Sequence, residues 1–139
     1  MAQAFLLGRI LVGCYYLQAA YHHFAAVGQM SRYVAAHGVP APEAAVVVAG
    51  LLLLVAGVTF LFGVFPRIGV AAIVLFLVPV TLIMHAFWAD HDPAKRQADM
   101  INFTKNIALL GSSLMFLAVP RPWPYSVERR WRLPVRAPV

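Results

Sequence analysis

Four apolar runs, Ala4 to Phe24, Ala44 to Phe65, Ile68 to Trp88 and Ile101 to Val119, limit what this chain can fold into more than any other feature. Each is close to the ~20 residues that, at about 1.5 Å rise per residue, cross a hydrocarbon core of about 30 Å. Lipid offers no hydrogen bonds, so each run must pair its backbone groups within itself, as an α-helix does. The fold class that follows is an all-α integral membrane protein, an antiparallel bundle of four transmembrane helices. Composition agrees: 62% of the 139 residues are apolar and 12% charged, against about half and a quarter in soluble domains. A water-soluble enzyme and a disordered chain are both excluded.

The chain divides at residue 119 into a four-helix transmembrane domain and a basic, proline-rich tail over 120–139. Phe65-Pro66-Arg67 leaves so little room between the second and third runs that they must form a tight hairpin. Gly28 to Pro42, with Gly38, Pro40 and Pro42, reads as an interfacial loop carrying one helical turn, and Asp90-His91-Asp92-Pro93 opens a polar third connection. Leu11-Val12-Gly13-Cys14 has the look of a lipoprotein cleavage box. Its flanks oppose that reading, since Arg9 interrupts the apolar run and apolar sequence continues past Cys14.

Charge distribution orients the bundle. An even number of spans puts both termini on one side, with Arg9, Arg67, Arg121, Arg129, Arg130, Arg132 and Arg136, against Arg32, Lys95, Arg96 and Lys105 on the other. The positive-inside bias places the termini in the cytoplasm of a bacterial inner membrane. The tail then lies on the inner leaflet or on a partner subunit through Arg121, Trp123, Arg129, Arg130, Trp131 and Arg132, its prolines preventing a continuous helix. The net charge of +6 lacks the soluble basic face that a nucleic acid would need, and the single cysteine, Cys14, excludes a dithiol redox pair within the chain.

Polar residues at membrane depth cost about 2.5 to 3.5 kcal/mol each when ionised and need a partner or a function. Tyr15, Gln18, Tyr21 and His22 fall within about 120° of one face of the first helix, with His23 100° away from His22. Glu43 opens the second helix, His85 lies near the end of the third, and Asn102, Lys105 and Asn106 share a face of the fourth at i, i+3, i+4. Alternating helix directions bring all of these to one membrane surface. The expected site is a polar pocket near the outer leaflet, lined by His22, Glu43, His85, Asn102, Lys105 and Asn106. Lys105 and Glu43 can pair across it as a packing feature, and His85 can serve as a ligand or as an interfacial hydrogen-bonding residue. No metal site is expected: His22-His23 lacks the carboxylate and further ligand that a metal or haem would need.

Leu7-Gly8-Arg9, the Gly38-Val39-Pro40 loop before a glycine-bearing second helix, His85-Ala86-Phe87-Trp88 and the run Asn102-Phe103-Thr104-Lys105-Asn106 through Gly111 together resemble the DoxX family of small four-helix bacterial membrane proteins. The resemblance covers Phe5 to Val119 and departs from the family at Tyr21-His22-His23. It implies a membrane subunit of a quinone-linked or thiol-linked redox system, with quinone as the cofactor class. It equally implies an accessory or assembly role, in which the partners are the bilayer, other membrane subunits or further copies of the chain. Neither the residues nor the resemblance names a reaction, and no broken-helix pair supports a transporter.

Overall fold

The computed structural model describes residues 1–132, the side chain of Arg132 excepted. It is all-helical among those residues: α1 (Ala2–Ala25), α2 (Val27–Ala36), α3 (Pro42–Phe62), α4 (Pro66–Met84), a 3-10 turn (Phe87–Ala89), α5 (Pro93–Met115), a second 3-10 turn (Phe116–Ala118) and α6 (Val127–Arg132). Four of these helices are long and apolar enough to cross a membrane.

Two boundaries differ from the sequence reading for local reasons. The fourth long helix begins at Pro93 rather than Ile101, because Asp92 accepts hydrogen bonds from the backbone N–H groups of Ala94 (2.8 Å) and Lys95 (3.4 Å) while Pro93 occupies the first helical position. The expected loop from Gly28 to Pro42 is instead mostly the ten-residue helix α2. Val27, Met30 and Val34 give that segment an apolar stripe at i, i+3, i+7, and no proline interrupts it.

The α3–α4 hairpin forms as its sequence requires. Gly63 closes α3 in the left-handed conformation (φ 66°), and the Val64 N–H donates to the Thr59 carbonyl at 3.0 Å. Proline then starts α4 at Pro66.

In space α1 packs on α3, α3 on α4 and α4 on α5, with little direct contact between α1 and α5. The α1–α3 seam is a backbone contact. A Cβ on Gly13 would lie 2.9 Å from the Leu61 nitrogen and 3.1 Å from the Gly57 carbonyl oxygen, so the two helices meet without side chains between them. Tyr16, Leu53, Phe60 and Ile73 fill the core beside this seam. Across the open side, Tyr16 Oη and Ser113 Oγ share a buried 2.8 Å hydrogen bond, which ties α1 to α5.

The tail corrects an expectation. Trp123, predicted at the membrane surface or on a partner, is completely buried: its ring meets Phe5 at 5.1 Å and Phe116 at 5.2 Å, and Phe116 continues the stack onto Phe60 at 4.7 Å. Arg121 also turns inward to the chain, pairing with Glu128 at 2.6 Å. Burial of about 150–250 Å² of aromatic surface outweighs what a headgroup could offer that ring. Arg129, Arg130 and Trp131 remain exposed, while the Arg132 side chain and residues 133–139 lie outside the described part. Arg9, counted among the charges on the side of the termini, is buried at the same end. Its Nη2 donates to the Tyr125 carbonyl at 2.7 Å, and its guanidinium lies so close to Gly63 that any Cβ there would collide with it. That position is the carbonyl end of α3, which favours a cation.

Trp123→Ala is therefore expected to destabilise the bundle by about 3–5 kcal/mol, seen as a clear drop in the melting temperature of detergent-solubilised protein. Trp131→Ala, at an exposed position, should leave that temperature unchanged.

Candidate functional site

The ends of the long helices opposite the tail enclose a cavity of about 510 Å³. Tyr16, Ala19 and His23 of α1 form one wall, Val46 and Leu53 of α3 another, Phe76 and Val80 of α4 a third, and Met30, Tyr33 and Val34 of α2 complete it. The helix that the sequence reading took for a loop is thus part of the site. Pro79 borders the cavity where it breaks the hydrogen-bond ladder of α4. Exposed side chains stand on the rim from opposite sides of the bundle, Tyr15 and Lys105 on α1 and α5, Val48 and Leu75 on α3 and α4, so the cavity communicates with the lipid-facing flanks.

Its lining is mostly apolar. The walls are aliphatic and aromatic, and the polar groups come from His23, His85, Lys105, Asn106 and the Tyr33 hydroxyl. His85 follows the last residue of α4, where the chain leaves the helix, and its Nδ1–H donates to Asp99 Oδ1 at 2.9 Å. The Asp90 carboxylate approaches the same aspartate and takes a hydrogen bond from Lys95 Nζ at 2.5 Å, which holds Asp90 below the ordinary carboxylate range. Burial, reinforced by the charge of Asp99, pushes the Tyr33 phenol upward, so it is a neutral O–H donor at physiological pH. Asn106 is 6% exposed, and its carboxamide forms no hydrogen bond among the described residues. A buried amide normally has a partner.

The structure brings together His85, Lys105 and Asn106 of the six expected residues. Asn102 stands one turn away and accepts a hydrogen bond from Lys105 Nζ at 2.9 Å. Glu43 is exposed on the first turn of α3, and it forms no ion pair among the described residues; Lys105 spends its hydrogen bond on Asn102 instead. His22 is exposed, its ring against Tyr21, and His23 takes the inward place. The 100° between the two histidines decides this, because Tyr16, Ala20 and His23 continue the buried stripe at i, i+4, i+7. Asp99 and Tyr33 were not picked from sequence. Asp99 carried the same signal as its neighbours, since Asp99, Asn102 and Asn106 stand at i, i+3, i+7 on one face of α5. Among the described residues no cluster of three or more His, Cys, Asp or Glu could hold a metal ion.

Fold and cavity together define a four-helix membrane protein with a mostly apolar cavity that opens to its flanks. The profile of the DoxX family matches residues 4–86, more than half of the chain, and the chain belongs to that family. The matched stretch includes His23, Tyr33 and His85 and ends before Asp99, Lys105 and Asn106. A curated relative, the inner membrane protein YphA of Escherichia coli (strain K12), is 29% identical over 99 residues, covering 71% of this chain and 69% of the relative. No solved structure gives a significant match.

Asn106 and Asp99 separate ligand chemistry from packing. Asn106→Leu, nearly isosteric, removes an amide that no described residue satisfies, and the melting temperature is expected to stay level or rise by the equivalent of ~1 kcal/mol. Asp99→Leu leaves His85 without its partner and should lower it by a comparable amount or more.

Proposed function

We propose that this DoxX-family protein is an inner-membrane subunit of a quinone-linked redox system and that its outer cavity holds the quinone. The observation that carries this reading is the match between the cavity and an amphiphile with a hydrogen-bonding ring. A volume of about 510 Å³ lies in the range of small-molecule sites, its walls are mostly apolar with a few polar side chains among them, and its rim reaches the lipid-facing flanks. A molecule dissolved in the bilayer enters such a site sideways, and its carbonyls find N–H donors on Lys105 and Asn106. A thiol-linked system is supported less well, because Cys14 is the chain's one cysteine and lies exposed on α1, away from the cavity lining. In this reading both termini are cytoplasmic and the cavity faces the periplasmic leaflet. The protein works beside other subunits or further copies of itself.

The test is equilibrium binding of a short-chain benzoquinone to the full chain in phospholipid nanodiscs. Binding is expected for the native protein, to weaken about tenfold in Lys105→Ala, and to vanish in Ala19→Phe, which fills the cavity wall while removing no polar side chain. No binding by the native protein would discard the quinone reading in favour of a non-catalytic structural or assembly subunit. That second role has its own support in the exposed Arg129, Arg130 and Trp131 of α6. Orientation is checked by Arg129→Cys in a Cys14→Ala background: an impermeant maleimide should label it from the cytoplasmic side only.

A further inference from the structure

The two histidines of the cavity are wired alike. His23 Nδ1 is hydrogen-bonded to the Ala19 carbonyl at 2.8 Å, and His85 Nδ1 to the Asp99 carboxylate at 2.9 Å. Both partners are acceptors only, so each places the imidazole proton on Nδ1. In the neutral ring Nε2 is then a bare lone pair, an acceptor with no proton to give. Neither Nε2 has a hydrogen-bond partner among the described residues, and both rings line the same cavity, His23 from α1 and His85 from the end of α4, with His23 in an edge contact with Phe76 at 5.8 Å. Lys105, Asn106 and Tyr33 supply donors to the same space.

That balance discriminates between the two redox forms of one ligand. A quinone offers carbonyl acceptors only, which the α5 donors satisfy while the histidine lone pairs stay unpaired against aliphatic walls. A hydroquinone carries two O–H donors and can use the lone pairs as well. Leaving a buried polar group unpaired costs more than a hydrogen bond usually yields, so the acceptors act as a filter against the oxidised form. We infer that the cavity selects the reduced, dihydroxy-aromatic form of its ligand, with His85 Nε2 accepting a hydroxyl proton in a hydrogen bond and Asp99 as the positioning residue that fixes the His85 tautomer. This rests on the cavity's being a quinone site.

The experiment compares a short-chain benzoquinone with its pre-reduced hydroquinone, under nitrogen, on the full chain in phosphatidylcholine nanodiscs at about pH 8, above the ordinary histidine range. The native protein is expected to bind the hydroquinone about tenfold more tightly. His85→Leu should bring hydroquinone affinity down toward that of the quinone and leave quinone affinity where it was, whereas a histidine with a packing role alone would weaken both together. Asp99 is read independently of affinity: ¹⁵N-histidine spectra should show the His85 Nε2 unprotonated in the native protein and a mixture of tautomers in Asp99→Leu. Equal affinities for the two forms, or a preference that survives His85→Leu, would overturn the inference and leave the quinone site standing. Binding of neither form would overturn both.

Discussion

The bundle depends on one close approach, the glycine-to-glycine seam that brings the backbones of α1 and α3 into contact at Gly13 and Gly57. Membrane helices lack a hydrophobic drive toward one another, so packing at short range decides which pairs form. Committing α1 to α3 leaves it unable to lie equally close to α5, and the opposite side of the bundle is spanned by a single buried hydrogen bond between Tyr16 and Ser113. Below that bond the aromatic side chains of the tail fill the space. Above it nothing does, and the space is the cavity.

Polarity is sorted along the same axis. Toward the tail, Arg9 meets a backbone carbonyl and the terminus of α3, and Arg121 meets Glu128. Toward the opposite end, Asp92 caps α5, Lys95 meets Asp90, and Asp99 fixes His85. The middle of the bundle holds hydroxyls bonded either across it, as Tyr16 is to Ser113, or locally, as Thr59 is to the Ala56 carbonyl at 2.9 Å. Two polar ends with different surroundings follow: at one, Arg9 and Trp123 are buried under the chain's own tail, and at the other Asn106 and two histidine nitrogens border the cavity with no described residue bonded to them.

The long helices were legible in the sequence because membrane thickness converts a length directly into an element, and a run of about 20 apolar residues has few alternatives. Periodicity also located His85, Lys105 and Asn106. It failed where the deciding information was three-dimensional. α2 is short and only one-sidedly apolar between glycines and prolines, and it becomes a helix worth noticing once α3 gives Met30 and Val34 something to lie against. Choosing between His22 and His23 required knowing which face of α1 meets α3, a fact set by Gly13 rather than by polarity. Trp123 read as an interfacial aromatic because its environment, Phe5 and Phe116, comes from opposite ends of the chain. Asp99 shared the spacing of its neighbours but looked like one more charge in a loop, since the start of α5 was placed too late.

The plug at the tail also sets an order of events in the cell. Arg9 enters the bilayer with the first helix, yet the carbonyl that receives its hydrogen bond belongs to Tyr125, and the ring that seals Phe5 belongs to Trp123. Both are synthesised after the sequence of every spanning helix. Throughout synthesis the first helix carries an unsatisfied guanidinium and an open aromatic surface, so the insertion machinery must shelter it until the last segment folds back. Biogenesis of this small protein is thus completed from its C-terminal end, and a nascent chain stalled before residue 123 holds four helices but not yet a closed bundle.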